Sequence, residues 1–377
     1  MIVWIAYICL AAATFGCLYI AFACVAALRF GRPDRAAPAT SVPVSVLVPL
    51  CGHEPGLYAR LRVLCEQDYA APVQILCAVQ QADDPALTVV RQIVTDMPNA
   101  AVEWQADPRV HGRNLKMSNL INVVGRARHD VIVMIDSDIL VGRDHLARVV
   151  GELQQPSVGA VTCLYYGIAG AGLWSRLSAM NVNLQFLPSV IVGIATRLAQ
   201  PCFGSTIALT RQTLERIGGL QRFVDQLWDD YAIGQAVRET GMRVAVSAKT
   251  VGHVCSESTG REFVDYQLRN GRTIGSIDPA GYTGAVIIHP FALSLVALAL
   301  DPGPSALAIV LLAVVSRLAL AACMQRRFGL RSNYWLVPIH DIAAFAIYLM
   351  SFFGGTVMWR GQRYRFHSDG TLLQPSQ

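Results

Sequence analysis

The sequence is poor in charged residues. Only 15% of its 377 residues are Asp, Glu, Lys or Arg, whereas a soluble globular domain carries about 25%. Hydrophobic residues make up 53% of the chain, which excludes a disordered protein and a wholly soluble one. The net charge is +5, lysine occurs only at Lys116 and Lys249, and no long basic run is present. The composition therefore argues against a nucleic-acid-binding protein.

The sequence also lacks the cysteine spacings of a disulfide framework or a zinc site. Its 10 cysteines include no C-x-x-C pair, and no histidine stands at zinc-ligand spacing from them. Isolated free cysteines behave as small buried hydrophobes, and free thiols persist in reducing compartments. We therefore expect cysteines without disulfide or metal partners.

An uncharged apolar stretch opens the chain at residues 2–28. About 20 apolar residues cross a bilayer as a helix. A cleaved signal peptide has a shorter apolar core after a basic start, but here the basic residues Arg29, Arg32 and Arg35 follow the stretch. Residues 1–37 are therefore predicted to be a transmembrane signal anchor and basic linker, with the N-terminus outside and the following domain in the cytoplasm.

Three further apolar stretches lie within residues 282–358, at 284–300, 305–324 and 335–358. The basic tail that follows, 359–377, is predicted to be cytoplasmic, but three crossings would place it outside. One stretch is therefore predicted to be re-entrant or interfacial, and the polar pair His340-Asp341 makes the last stretch the first candidate. This pair and Arg317 are either functional intramembrane residues or residues at helix ends.

Residues 38–281 are predicted to form one α/β domain. β-Branched runs alternate with amphipathic segments, a pattern that indicates βαβ units and a mostly parallel sheet. The predicted strands are 44–48, 73–79, 102–105 and 131–135, and the predicted helices are 56–66, 84–97, 115–124 and 232–240.

Two carboxylates follow the most hydrophobic strand, in Asp136-Ser137-Asp138. Ligands of open parallel sheets bind beyond the carboxyl ends of the strands. Two aspartates in that position can approach one Mg²⁺ or Mn²⁺ ion, which prefers oxygen ligands and would neutralise a diphosphate. An ordinary aspartate-rich turn is the alternative interpretation.

A second acidic pair, Asp229-Asp230, precedes the predicted helix 232–240. One interpretation is a helix N-cap, a position that aspartate fills well. The other is a general base that deprotonates an acceptor hydroxyl. The two aspartates could also divide these roles.

Several other residues are candidates for binding a nucleotide sugar. Gln81, Asp83 and Asp84 follow the second strand, where a base and ribose would lie, although Asp84 before Pro85 also suits a helix start. Lys116 could meet a phosphate or be a solvated helix lysine.

Two further segments have both a functional and an ordinary interpretation. The small residues 204–206 would let the backbone approach a ligand, or form a simple turn. Arg269 and Arg272 share one face of a predicted helix and could hold a diphosphate, or face lipid headgroups.

Taken in order, these motifs resemble family 2 glycosyltransferases of the ceramide glucosyltransferase type. The resemblance spans nearly the whole chain and is nearest to the bacterial hopanoid-biosynthesis branch. It is carried by residues 49–52, 54–57, 65–69, 83–85, 114–120, 136–139, 229–231 and 359–364.

The resemblance implies a GT-A fold and inversion of the anomeric centre. It also implies that Asp136 is the nucleotide- and metal-associated aspartate with Asp138 beside it, that Asp230 is the base, and that Arg269 is the arginine of the (Q/R)-x-x-R-W motif. The chain departs from the family at three positions, which hold Gln81, Tyr266 and Asn270.

The sequence thus predicts a metal-dependent, membrane-anchored hexosyltransferase of the bacterial inner membrane. The predicted donor is a UDP-sugar, which the resemblance makes N-acetylglucosamine, and the predicted acceptor is a membrane lipid such as bacteriohopanetetrol. The alternatives are a ceramide glucosyltransferase and a catalytically silent membrane protein that binds a nucleotide sugar or lipid.

Overall fold

The computed structural model describes residues 1–31, 42–331, 333–359, 362–367 and 370–375. Arg32 and Arg35 of the predicted basic linker lie outside the described residues, as does Arg360 of the predicted tail.

An α/β domain lies between an N-terminal helix and a group of C-terminal helices, and three short strands follow the last of these helices. The helices are α1 (Ile2–Arg29), α2 (Leu57–Cys65), α3 (Ala86–Asp96), α4 (Leu115–Val124), α5 (His145–Leu153), α6 (Leu173–Asn181), α7 (Leu187–Ala195), α8 (Arg211–Arg216), α9 (Asp229–Glu239), α10 (Gly260–Ile277), α11 (Pro279–Gly284), α12 (Pro290–Leu300), α13 (Pro304–Phe328) and α14 (Val337–Ser351). The strands are β1 (Val44–Pro49), β2 (Val73–Val79), β3 (Ala101–Ala106), β4 (Val131–Met134), β5 (Ile139–Leu140), β6 (Val158–Thr162), β7 (Tyr165–Ala169), β8 (Ile207–Thr210), β9 (Arg243–Val246), β10 (Val251–Cys255), β11 (Thr356–Trp359), β12 (Gln362–Phe366) and β13 (Leu372–Pro375).

The central sheet has seven strands in the order β3-β2-β1-β4-β8-β6-β9. Its first four strands are parallel, and Val46 of β1 pairs with Ile75 on one side and Val133 on the other. β8 is antiparallel to both of its neighbours, β4 and β6. The sheet is therefore mostly parallel, as predicted, and it places the carboxyl ends of β1, β2 and β4 at one edge.

Both faces of the central sheet are covered, as a parallel sheet requires. Successive side chains of β1 point to opposite faces. Accordingly, Val44, Val46 and Val48 pack in one buried hydrophobic cluster, whereas Leu47 packs in another with α4 and α9. This alternation fixes the register of the strands and so the position of the residues that follow their carboxyl ends.

Most predicted elements of this domain are confirmed, and two have the bounds that the sequence predicts, β2 and α4. The largest error concerns α9, which begins at Asp229 and not at residue 232. Both acidic residues of the second pair therefore lie inside the first helical turn.

Two of the predicted apolar stretches near the C-terminus are shorter as helices than the sequence suggests. The stretch 284–300 is broken at His289, and the helices on either side meet at a bend of 68°. Pro290 explains the break, because proline lacks an N–H and starts the new helix α12 at its first position. The stretch 335–358 ends as a helix at Ser351, and its last residues belong to β11.

Among the described residues, four helices or continuous helical segments are long and apolar enough to span a membrane. The number rises to five if the two helices that meet at the bend form one span. The four are Ile2–Arg29, Leu173–Ala195, Pro304–Phe328 and Tyr334–Ser351. The segment Leu173–Ala195 was not predicted to be one of them. It comprises α6, a π-helical turn at Val182–Phe186 and α7.

This segment joins the α/β domain to the apolar helices. Asn183 of the π-helical turn hydrogen-bonds both the N–H and the carbonyl of Gly167 in β7. On the other side, Leu187 packs in one buried cluster with Ile20 of α1 and Leu320 of α13.

An ion pair between α13 and α14 lies in the interior of the helical bundle. Arg317 donates two hydrogen bonds of 2.7 Å to Asp341, and each side chain is only 2% exposed. Arg317 also donates to the carbonyl of Leu184 in the π-helical turn. His340 contacts the same carboxylate at 3.1 Å. The predicted polar residues therefore pair with one another. Arg317 lies in the middle of α13, whereas His340 and Asp341 lie near the start of α14.

Hydrogen bonds hold both ends of α14. Just before the start of α14, the hydroxyl of Tyr334 donates to the side chain of Gln325 near the end of α13. In the same part of α13, Arg327 donates to the carbonyl of Phe30, which follows α1. At the end of α14, Ser351 contacts Tyr282 of α11 at 2.8 Å.

Candidate active site

Lys116 connects the two acidic pairs. Its Nζ lies 2.8 Å from Oδ1 of Asp136, after β4, and 3.3 Å from Oδ2 of Asp229, at the start of α9. The lysine side chain is only 17% exposed, so it is not the solvated helix lysine of the alternative interpretation. The structure thus brings together residues that are more than a hundred positions apart.

Asn114 holds this arrangement from the side of α4. Its side-chain oxygen accepts the N–H of Met117 and caps the helix that carries Lys116. Its amide nitrogen donates to the carbonyl of Gln226 and to the carboxylate of Asp229. The cap and the acidic pair are therefore positioned by one side chain.

The two aspartates at the start of α9 have different surroundings. The N-cap position belongs to Trp228, so the N-cap interpretation of the pair is wrong. Asp229 is buried against Lys116 and Asn114. Asp230 is partly exposed and accepts the N–H of Gly204 at 2.9 Å and that of Tyr231 at 2.8 Å.

Gly204 allows the chain to pass close to the carboxylates. A Cβ on this residue would lie 2.6 Å from a carboxylate oxygen of Asp136 and 2.6 Å from Nζ of Lys116. Both distances are too short for a van der Waals contact, so a side chain at this position would displace them. The carbonyl of Gly204 also accepts the N–H of Asp136. The absence of a side chain at Gly204 therefore lets its backbone lie beside both Asp136 and Asp230, as the ligand-approach interpretation of residues 204–206 predicts.

The charges at the site shift its ionisation. Burial raises the pKa of the Asp230 carboxyl, and the nearby Asp229 carboxylate adds to this rise, which Lys116 opposes. Burial likewise raises the pKa of Asp136. Burial alone would lower the pKa of Lys116, but Asp136, Asp229 and Asp230 reverse this effect and raise it. The site therefore favours a charged lysine and carries an excess of carboxyl groups.

A chain of aromatic contacts connects Asp138 to Arg269. His253 of β10 places Nε2 at 3.2 Å from Oδ2 of Asp138, and its ring stacks on Tyr266 at 6.3 Å. The guanidinium of Arg269 lies over the ring of Tyr266 at 5.0 Å. Tyr266, the residue that departs from the (Q/R)-x-x-R-W motif, thus contacts both Arg269 and the histidine that pairs with Asp138.

Ser137, the middle residue of the D-x-D motif Asp136-Ser137-Asp138, is held by two residues whose role sequence reasoning missed. The buried Arg60 donates from Nε to the carbonyl of Ser137, and Glu54 accepts the hydroxyl of Ser137 at 2.6 Å. Arg60 and Glu54 also form an ion pair at 3.1 Å. Glu54 belongs to the motif region at 54–57, but its role depends on a contact across 83 residues and has no local signal.

The predicted nucleotide-side residues lie at the end of β2. Gln81 and Asp83 are exposed. Asp84 accepts the N–H groups of Gly52 and Ala86, and so ties the end of β1 to the start of α3. These bonds agree with the helix-start interpretation of Asp84, and they leave Gln81 and Asp83 facing solvent beside it.

Arg272 is not placed beside the acidic pairs. Its guanidinium donates to the carbonyls of Phe353 and Thr356, which follow α14. This arginine therefore joins α10 to the C-terminal strands, whereas Arg269, one turn earlier, faces Tyr266.

The donor set suits a hard divalent cation. Within the described ranges, no group of three or more His, Cys, Asp and Glu side chains is arranged to hold a metal ion. Mg²⁺, however, commonly takes only one or two carboxylates and completes its coordination with phosphates and water. Asp136 and Asp138 offer these carboxylates at a site where acidic groups outnumber cations, so the residues fit such an ion.

The chain is similar to known glycosyltransferases. The family model described as Glycosyl transferase family 21 matches residues 7–372. Ceramide glucosyltransferase 1 of Caenorhabditis elegans is 23% identical over 57% of this chain, and the ceramide glucosyltransferase of Gibberella zeae is 27% identical over 42%. The matches span 45% and 34% of those two proteins, less than half of each.

One solved structure is similar over nearly the full chain. A mannosyltransferase from Pyrobaculum calidifontis in complex with GDP-Man and Mn²⁺ superposes with a TM-score of 0.54. The match covers 94% of this chain and 99% of that chain at 22% identity. The α/β domain therefore has the GT-A fold, with apolar helices at both ends.

Proposed function

Since this chain belongs to glycosyl transferase family 21, we propose that it transfers a hexose from a UDP-sugar to a hydroxyl group of a membrane lipid, with inversion of the anomeric centre. The observation that supports this most directly is Lys116, whose ammonium lies between the D-x-D motif and the Asp229-Asp230 pair. A cation at this position suits a diphosphate, and the partly exposed carboxylate beside it suits the activation of an acceptor.

Each residue has a separate task in this reaction. Lys116 binds the diphosphate as a point charge, and Asp136 and Asp138 hold the divalent cation, Mg²⁺ or Mn²⁺. When bound, that ion supplies charge neutralisation for the leaving UDP. The structure solved with Mn²⁺ is similar to this chain in fold.

Asp230 acts as the general base. Its carboxylate is oriented by the N–H groups of Gly204 and Tyr231, and it takes the proton from the attacking lipid hydroxyl. The oxygen then forms the bond to the anomeric carbon as the bond to the UDP oxygen breaks. Arg269 contacts Tyr266, which stacks on the His253 ring beside Asp138, and we propose that it steadies the departing diphosphate. Gln81, Asp83 and Asp84 border the base and ribose.

The acceptor reaches the site from the bilayer. The α6–α7 segment supports this route, because it packs on α1 and α13 and also contacts the strands next to the site. We propose a hopanoid alcohol such as bacteriohopanetetrol as acceptor and UDP-N-acetylglucosamine as donor, in the inner membrane of a bacterium. The motif order supports this choice, whereas the ceramide glucosyltransferases among the relatives favour ceramide and UDP-glucose as the second candidate.

One experiment tests the activity and its substrates. Membranes that contain the full chain are incubated with radiolabelled UDP-N-acetylglucosamine or UDP-glucose and with bacteriohopanetetrol or ceramide, and the labelled lipid is identified by mass spectrometry. We expect label in bacteriohopanetetrol, loss of transfer in excess chelator, and recovery with Mg²⁺ or Mn²⁺.

The controls separate the alternatives. Label in ceramide alone would replace the acceptor assignment but keep the reaction. Binding of UDP without transfer to any lipid would favour a silent binding protein. Asp144→Asn is the matched control for Asp138→Asn, because Asp144 pairs with Lys249 and Arg148 away from the site. Only the Asp138 variant should lose transfer.

A further inference from the structure

The antiparallel sheet of β11, β12 and β13 lies against the segment that leads into the acidic pair. We propose that this sheet, which we call the C-terminal clamp, sets the position of Asp229 and Asp230, with Gly370 as a positioning residue. The inference deepens the proposed function, because it concerns the segment that carries the proposed base.

Main-chain hydrogen bonds join the clamp to this segment. The N–H of Leu227 donates to the carbonyl of Gly370 at 2.9 Å, and the N–H of Leu372 donates to the carbonyl of Asp225 at 2.7 Å. Gln226 and Thr371 form an antiparallel bridge between these two bonds. Residues 225–227 are thus paired with the chain after Gly370 as if they were an added strand.

The same segment is held from its other side by the residues before α4. Asp225 accepts the N–H of Arg113 at 2.9 Å, and the carbonyl of Gln226 accepts the side-chain amide of Asn114 at 2.9 Å. Asp229 follows three residues later and bonds the same Asn114. A displacement of the clamp would therefore move residues 225–227, which are followed, after Trp228, by Asp229 and Asp230.

Gly370 is the residue on which the fit of the clamp depends. Its φ of +81° belongs to the left-handed region, and a Cβ on it would coincide with the indole ring of Trp228. Trp228 in turn stacks on Tyr231, with ring centroids 5.5 Å apart. Trp228 and Tyr231 directly flank the acidic pair, so any side chain at position 370 displaces the two residues that bracket it.

The clamp has its own support and is not part of the diphosphate site. Val357, Tyr364 and Leu372 form its small core, against which Leu227 packs. Arg272 anchors the chain before it through the carbonyls of Phe353 and Thr356. We therefore expect a defect in the clamp to lower kcat with little change in donor binding.

The test compares two glycine variants of the full chain reconstituted in lipid nanodiscs. Gly370→Ala introduces the clash with Trp228. Gly241→Ala is the matched control, because Gly241 has a φ of +82° just beyond the end of α9 and no atom lies within 4 Å of its added Cβ. Both variants bear the same backbone strain, but only the first meets the indole.

We expect Gly370→Ala to lower kcat by about 10²-fold, the loss typical of a displacement of roughly 1 Å at a reacting group. Its KM for the UDP-sugar and its binding of UDP with Mn²⁺ should stay near the wild-type values. Gly241→Ala should keep the wild-type kcat. Adding Trp228→Ala to Gly370→Ala removes the clash and should restore part of the lost turnover, which a general folding defect would not allow.

Hydrogen exchange of residues 225–231 gives a readout that needs no turnover. Protection of the Leu227 N–H should fall in Gly370→Ala and persist in Gly241→Ala. Equal kcat and equal protection in the two variants would overturn the proposal, and so would parallel loss of UDP binding and kcat in Gly370→Ala. Absence of transfer by the wild-type protein would overturn the proposed function. The exchange measurement would still show whether the clamp holds residues 225–231.

Discussion

At the scale of single residues, substitutions of Asp230 distinguish a catalytic role from a structural role most clearly. Asp230→Asn keeps the size of the side chain and one oxygen that can accept the N–H of Gly204 or Tyr231. We expect turnover to fall by about 10²–10⁴-fold, because proton removal is lost. Melting temperature and UDP binding should change little. Lipid glycosylation and thermal unfolding measured on the same preparations check this.

Asp230→Ala is the companion variant. It removes both hydrogen-bond acceptors and should destabilise the protein by about 1–3 kcal/mol through the unpaired N–H groups. A folded Asp230→Asn protein with near-normal turnover would contradict the assignment of the base.

The ionisation of Asp230 should appear in the pH dependence of turnover. A base works when deprotonated, so the rate falls as the pH drops through its pKa. Burial and the Asp229 carboxylate raise that pKa, so the fall should occur at a higher pH than the ordinary aspartate value of about 3.9. In Asp229→Asn the raising charge is absent, and the acidic limb of the kcat profile should move to lower pH. An unchanged limb would argue against Asp230 as the titrating base.

The residues of the site that sequence reasoning found are those with a local signal. Asp136, Asp138 and Lys116 stand at fixed offsets from a strongly hydrophobic strand and its preceding helix, and the fold brings them together. The partners His253, Asn114 and Arg60 were missed, because their roles arise from contacts between distant segments. For the same reason, nothing local indicated that Arg272 bonds main-chain carbonyls and does not face the acidic pairs.

At the scale of elements, the ion pair of Arg317 and Asp341 ties α13, α14 and the π-helical turn together. Asp341→Asn would leave the buried Arg317 without its charge partner, which typically costs about 3–5 kcal/mol. We expect a large loss of thermal stability in detergent. The double variant Arg317→Met with Asp341→Leu should be much more stable than Asp341→Asn. Equal stability of the wild-type protein and Asp341→Asn would show that the pair does not hold the helices.

The elements that the sequence predicts best are those whose pattern is complete within one segment. The β-branched runs of β1, β2 and β4 and the apolar run of α1 are of this kind. The α6–α7 segment was missed as a candidate span because Arg176, Asn181 and Gln185 interrupt its hydrophobic run. The C-terminal strands pair with one another. They were missed because Arg363 and Arg365 give this stretch the composition of a basic tail, and their bridge to Gln226 joins positions more than a hundred residues apart.

At the scale of the whole molecule, we propose that the chain crosses the membrane three times. If α1, the segment that ends in α12, and α13 cross the bilayer, both α14 and the C-terminal strands return to the side of the α/β domain. Protease added to sealed spheroplasts should then spare residues 38–281, and the same protease should cleave them after detergent is added. Western blotting with an antibody against this domain detects the outcome, and cleavage in intact spheroplasts would contradict the orientation.

The bend at His289 has a consequence for the thickness of the surrounding bilayer. Beyond the bend α12 has 11 residues, about 16 Å of helix, whereas the hydrocarbon core is about 30 Å thick. A short apolar segment is matched by local thinning of the bilayer, which brings the headgroup region nearer to the catalytic domain. We therefore expect faster glycosylation in vesicles of short-chain phosphatidylcholine than in vesicles of long-chain phosphatidylcholine at equal acceptor content. Equal rates would show that the length of α12 does not make the activity depend on bilayer thickness.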